Sequence, residues 1–177
     1  LERKIEALFG KRWGKVEKEM KILYGGINSK TVTERLTEPS GAMGAIQRIM
    51  ANDVSCQHVT PDFAREPAQR RLFPHIEKDV IPGANPEADL KIRKTIMHLR
   101  SHLLDRHEAI DHPEVNRTFK LFSEVVAEAK KRKGIDKRDS YHCGRIDGKR
   151  VDDQHYTLRG WRAVVTYLLR QPEFLYE

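Results

Sequence analysis

Two prolines set the limits on how this chain can fold. Pro86 and Pro113 each stand directly behind a residue able to cap a helix, Asn85 and His112, and each leads into a long amphipathic stretch. Proline is at home in a helix's first turn, where its missing N–H is no loss, and breaks the bond ladder further in. "NPEADLKIRK" therefore predicts a helix opening at Pro86, with Asn85 as N-cap and Glu87 and Asp89 at the positive end of the macrodipole. Ile92, Ile96, Leu99 and Leu103 carry its apolar stripe, joined by Met97 and Leu104. "DHPEV" repeats the pattern, with Asp111 or His112 as cap and a stripe of Val115, Phe119, Phe122 and Val126. Lys130, Lys131, Arg132 and Lys133 then crowd the negative end, and Gly134 is a natural C′ residue. Two long helices with so short a link predict a central antiparallel helical hairpin, and with it a mostly α-helical bundle.

The flanking regions fill in around that pair. Ile5, Phe9, Trp13, Val16, Met20 and Leu23 keep a near-heptad spacing and predict an amphipathic helix over 2–24, ended by Gly25-Gly26. Its seam suits a partner helix or a second copy, so residues 1–26 are read as an assembly segment. Residues 27–84 read as short helical turns and loops: a helix over 42–50 is expected, and prolines then recur at 61, 67, 74 and 82. Residues 85–177 make up the helical hairpin and a basic carboxy-terminal part. There "RIDGKRV" predicts a small β-hairpin about Asp147-Gly148, and Thr157 caps a last helix bearing Leu158, Trp161, Val165, Leu168 and Leu169.

No apolar run reaches the roughly 18 residues that a membrane span needs, so no membrane association is expected. Two cysteines, Cys56 and Cys143, are too few for a disulfide framework, which points to a reducing, cytoplasmic setting, with the nucleoid as one location there. Phosphate-cradling glycine loops, serine elbows and dinucleotide fingerprints are absent from the sequence.

Charge discriminates better. Lys130 to Arg170 holds twelve Lys and Arg against five Asp, a surplus equal to the whole net charge of +7, while the rest of the chain carries 21 of each sign. The dipole of the preceding helix accounts for two or three cations near Lys130, but not for Arg138, Arg145, Lys149 and Arg150. Arg159 and Arg162 stand at the start of the last helix, where cations are disfavoured and a phosphate would compensate them. Tyr141, His142, His155, Tyr156 and Trp161 lie among these charges as candidate stacking partners for bases. The expected function is therefore binding of DNA or RNA through the phosphate backbone, without a cofactor. Its carriers are Lys130, Lys131, Arg132, Lys133, Arg138, Arg145, Lys149, Arg150, Arg159 and Arg162.

A second chemistry is written into "HLRSHLLDRHEAIDHPE", residues 98–114. His98 and His102 are spaced to share one helix face and could bind zinc with a third ligand such as Cys143. The stretch has no HExxH base and no CxxC pair. Within it "RHEAIDH" resembles the Arg-polar-x-x-x-x-His motif of the HEPN ribonucleases, the matching positions being Arg106, His107 and His112. The resemblance implies a small all-helical protein whose paired protomers bring arginine and histidine together to cleave RNA without metal. Histidine exchanges protons near neutral pH and arginine offsets charge on a phosphorane, so the residue types suit the reaction. A third reading is a protein-interaction subunit, its basic surface facing an acidic partner.

Overall fold

A computed structural model describes residues 1–13, 41–138, 143, 146 and 149–176. Among these there are six α-helices: α1 (Glu2–Phe9), α2 (Gly41–Phe63), α3 (Pro86–Leu104), α4 (Pro113–Lys131), α5 (Thr157–Leu169) and α6 (Pro172–Tyr176). No strand occurs among the described residues. Where a β-hairpin was expected there are two isolated antiparallel bridges, Ile146 to Lys149 and Arg138 to Asp152. The turn closes, with Ile146 and Lys149 exchanging backbone hydrogen bonds of 3.1 and 2.9 Å, but pairing does not extend into strands.

The helix starts follow the capping chemistry. Asn85 accepts the Ala88 N–H at 2.8 Å, and Asp89 reaches back to the Gly83 N–H at 2.7 Å. The α3 helix ends with Asp105 in the left-handed region (φ 53°) and α4 begins at His112, whose Nδ1 accepts the Glu114 N–H. Contacts between these two helices include Arg93, which lies over the Phe119 ring at 4.2 Å and donates to Asn116.

The helix at the centre is α5. It packs against α2, α3 and α4. Leu158, Trp161, Val164, Val165, Leu168 and Leu169 are all fully buried in it. At Gly160 it comes close to α4. Gly160 faces Phe122 and Val126, where a Cβ would stand only 2.7 Å from the Phe122 ring. Trp161 completes an aromatic layer, with ring centroids 4.4 Å from Phe122 and 5.3 Å from Phe73.

Two sequence expectations change at the amino-terminal side. The first helix stops at Phe9, because Gly10 turns left-handed (φ 80°) and its N–H closes on the Glu6 carbonyl. Ile5, Phe9 and Trp13, half of the supposed assembly seam, are buried in the chain's own core; Val16, Met20 and Leu23 lie outside the described residues. The helix expected over 42–50 instead runs to Phe63, through Pro61 in its last turn. Pro61 lacks the N–H that would close on the Gln57 carbonyl, but only Asp62 and Phe63 follow it, so the break falls at the helix's end; Val54, Val59 and Phe63 add buried surface beyond residue 50. Asp62 anchors the following loop, accepting the backbone N–H groups of Arg71, Leu72 and Phe73 at 2.9–3.1 Å.

Candidate nucleic-acid interface

The basic region begins at the C-terminal end of α4. Lys130 and Lys131 close that helix, and Gly134 (φ 81°) turns the chain so that Asp136–Arg138 runs beside residues 150–153. The Asp153 N–H donates to the Lys137 carbonyl at 2.7 Å, next to the Arg138–Asp152 bridge. Arginines from both sides then meet on one carboxylate. Arg138 binds Asp136 through two bonds of 3.0 and 3.1 Å, and Arg150 reaches the same group at 3.1 Å. The hydrogen bonds from the Arg138 guanidinium and backbone, with the Arg150 charge, hold the Asp136 carboxyl below its ordinary range.

Lys130, Lys131, Lys133, Lys137 and Lys149 are exposed. None of the five has an acid in ion-pair range among the described residues. Arg132 is exposed as well but pairs with Glu128 at 3.0 Å, and Arg145 lies outside the described residues.

The start of α5 corrects the expectation of a free anion-binding helix end. Thr157 is not the cap. Tyr156 precedes the helix in the left-handed region (φ 61°), while the Thr157 hydroxyl donates to the Lys78 carbonyl. Asp153, 2% exposed, supplies the anion, accepting the N–H groups of Leu158 (3.0 Å) and Arg159 (3.4 Å). Arg159 is a clamp. Its guanidinium approaches Asp153 at 4.0 Å and donates to the carbonyls of Asp136 (2.5 Å) and Arg138 (2.9 Å). The compensating negative charge is therefore intramolecular, and Arg159 holds the 136–138 segment. Arg162 is half-buried.

The aromatic candidates divide in the same way. Trp161 and Tyr156 are buried and cannot stack on a base; His155 is half-buried, and Tyr141 and His142 lie outside the described residues.

The histidine-rich link is held by a buried ion pair that the sequence reading did not find. Arg100, 5% exposed, engages both oxygens of Glu108, which raises the guanidinium pKa and lowers that of the carboxyl. The charges of His112 and Arg106 also act on Glu108, so both motif residues lie about one carboxylate. His112 is a cap outside the helix (ψ 139°), Arg106 is exposed and 3.9 Å from Glu173, and His107 is exposed beside Ser101 and Asp105. The motif thus sits on a loop.

His98 and His102 stack with centroids 5.8 Å apart, but each Nε2 is 3.1 Å from a backbone carbonyl, of Arg71 and Leu8 respectively. A carbonyl only accepts, so each Nε2 carries a proton and is unavailable to a metal. Burial lowers the His102 pKa, and burial with nearby Lys11 and Arg65 lowers that of His58 to about 4. Cys143 is joined to Cys56 in a disulfide and offers no thiolate. Among the described residues, no group of three or more His, Cys, Asp or Glu is placed to hold a metal ion. The two cysteines, expected to stay unpaired, are bonded across 87 residues.

Comparison with protein-family models, with curated proteins and with solved structures found no match to this chain. No helix among the described residues is long and apolar enough to cross a membrane.

Proposed function

We propose that this chain binds nucleic acid through its phosphate backbone, along the surface running from the C-terminal end of α4 to Arg150. In this reading α3 and α4 form an antiparallel hairpin that carries the basic end, and Arg159 and Asp153 shape the segment that extends it. The observation that carries the reading is the exposure of Lys130, Lys131, Lys133, Lys137 and Lys149 with no carboxylate in ion-pair range among the described residues. Arg138 and Arg150 stand against Asp136 and Asp152, so these four groups balance and the positive surplus is that of the lysines. Such a surface reads charge and not sequence, because phosphate contacts position a ligand without identifying its bases. In this reading DNA or RNA is the partner and no cofactor is needed; the Cys56–Cys143 bond takes away the argument from unpaired cysteines for a reducing cytoplasm.

Charge reversal tests it. Lys130→Glu, Lys133→Glu and Lys149→Glu together should weaken binding of a duplex and of a single strand alike. The salt slope should fall by about one for each phosphate that the variant no longer neutralises. Unchanged affinity and slope would remove these lysines from the interface.

The ribonuclease is the rival reading. What favours it is the shared influence of Arg106 and His112 on Glu108. For the interaction-subunit reading the same basic face would meet an acidic protein, and failure to bind either nucleic acid at low salt would favour it.

A further inference from the structure

We infer that the Cys56–Cys143 disulfide is a redox-controlled staple for the basic surface, an inference that rests on the nucleic-acid reading above and names its regulation. Cys143 lies between Arg138 and Asp152, the two residues whose bridge closes the base of this basic excursion. Cys56 lies on α2, in the body of the protein. The bond therefore ties Cys143 to the core, at a point that no backbone bridge among the described residues reaches.

Among the described residues the other ties near Lys149 are non-covalent. Ile146 and Lys149 bond to each other, Val151 packs partly buried against the core, and Arg150 bonds to the partly exposed Asp136. An exposed ion pair of this kind holds little, about 0–1 kcal/mol. Arg159 and Asp153 secure the base at residues 136–138 but do not extend to Lys149. Opening the disulfide thus loosens Lys149 relative to Lys130, Lys131 and Lys133, while Arg150, beside core-packed Val151 and paired with Asp136, keeps its place and the helical core stays intact. Binding then loses its preorganisation, since side chains must be ordered at the moment of contact.

Both cysteines are half-buried, not sealed in the core, so a thiolate can reach the bond. They are also the chain's only two, so opening leaves no alternative intramolecular partner. The reductant is a dithiol. Its thiolate attacks one sulfur to form a mixed disulfide, and its second thiol then displaces the protein. Cys56 and Cys143 each end as a thiol, and the dithiol, having given up two electrons and two protons, ends as a disulfide.

The test uses the full chain, oxidised or treated with dithiothreitol, and a fluorescent 20-nucleotide DNA, single- and double-stranded. The thiol count of each sample is checked by alkylation and intact mass. Reduction should weaken affinity about three- to tenfold and lower the salt slope by about one, the share of Lys149. Trypsin should cut faster after Lys149 in the reduced chain. Cys56→Ser/Cys143→Ser should match the reduced protein and ignore the dithiol. Equal affinity and slope in samples of proven redox state overturn the staple alone, as do free thiols in the air-oxidised protein. Absence of DNA binding in both states overturns the binding surface, and the staple's role with it.

Discussion

Gly160→Ala tests the packing that places the basic surface. Glycine inside a helix ordinarily costs about 1 kcal/mol relative to alanine, so the substitution on an exposed face would stabilise. Here the added Cβ would stand 2.7 and 2.8 Å from two Phe122 ring carbons and 3.1 Å from Val126 Cγ2. Real Cβ contacts do not come under 3.0 Å, so something must move. The Phe122 ring is fully buried and packed at a tilt against Trp161, and it cannot swing toward solvent. Overpacking of this kind costs roughly 1–3 kcal/mol, and the helix-propensity gain offsets about 1. The expected net loss is about 0–2 kcal/mol, a fall in Tm of up to roughly 8 °C for a chain of this size, where an exposed-face glycine would give a rise. Thermal unfolding followed by circular dichroism measures it. In the double variant Gly160→Ala/Phe122→Leu the alanine should cost less than it does alone, because the clashing ring is gone. A Tm raised by Gly160→Ala alone would refute the close α4–α5 approach, and with it the position of Lys130–Lys133 relative to the rest of the surface.

Further expectations follow from charged groups. His58 has its folded pKa lowered to about 4, so it contributes stability above the unfolded value of about 6.5 that is lost as pH falls from there toward 4. Discounted for solvent screening, that loss is roughly 1–2 kcal/mol, and His58→Gln should flatten this part of the pH–stability curve; an identical slope would contradict it. Glu108→Gln leaves the buried Arg100 without its counter-charge and should cost roughly 3 kcal/mol in urea unfolding, most of it recovered in Arg100→Met/Glu108→Leu. A loss under about 0.5 kcal/mol, the scale of an ordinary surface substitution, would show that the pair does not hold the link. An RNA cleavage assay with EDTA present should give no Arg106- or His112-dependent product. Cleavage by the wild type that disappears in both Arg106→Ala and His112→Ala, with folding retained, would establish the ribonuclease instead.

What the sequence revealed was mainly local chemistry. Asn85 and Pro86 specify a helix start within four residues, and the structure uses them as the capping rules require. Gly134 likewise turns left-handed at the end of α4. What stayed hidden depends on tertiary contact. The heptad spacing of Ile5 to Leu23 runs straight past Gly10, and only packing decides that the helix ends there, with Arg71 laid against the turn. Pro61 reads as a breaker, and it does end the helix two residues on, where the burial of Val59 and Phe63 offsets the bond it forfeits. The Cys56–Cys143 bond has no signature in sequence, since 87 residues separate its ends. The start of α5 is more legible than its cap pattern suggests. Asp153 stands four residues before Thr157 as an available carboxylate, and with it in place Arg159 needs no external phosphate.

The central claim is that exposed cations between Lys130 and Arg150 hold nucleic-acid phosphates, and it is met most directly by an anisotropy titration of the oxidised chain against a fluorescent duplex across about 50–200 mM salt. Contact with about five phosphates predicts a plot of log K against log salt with slope near about −4.5, a loss of several hundredfold over that range. No binding at the low-salt end, or binding that does not respond to salt, would contradict it.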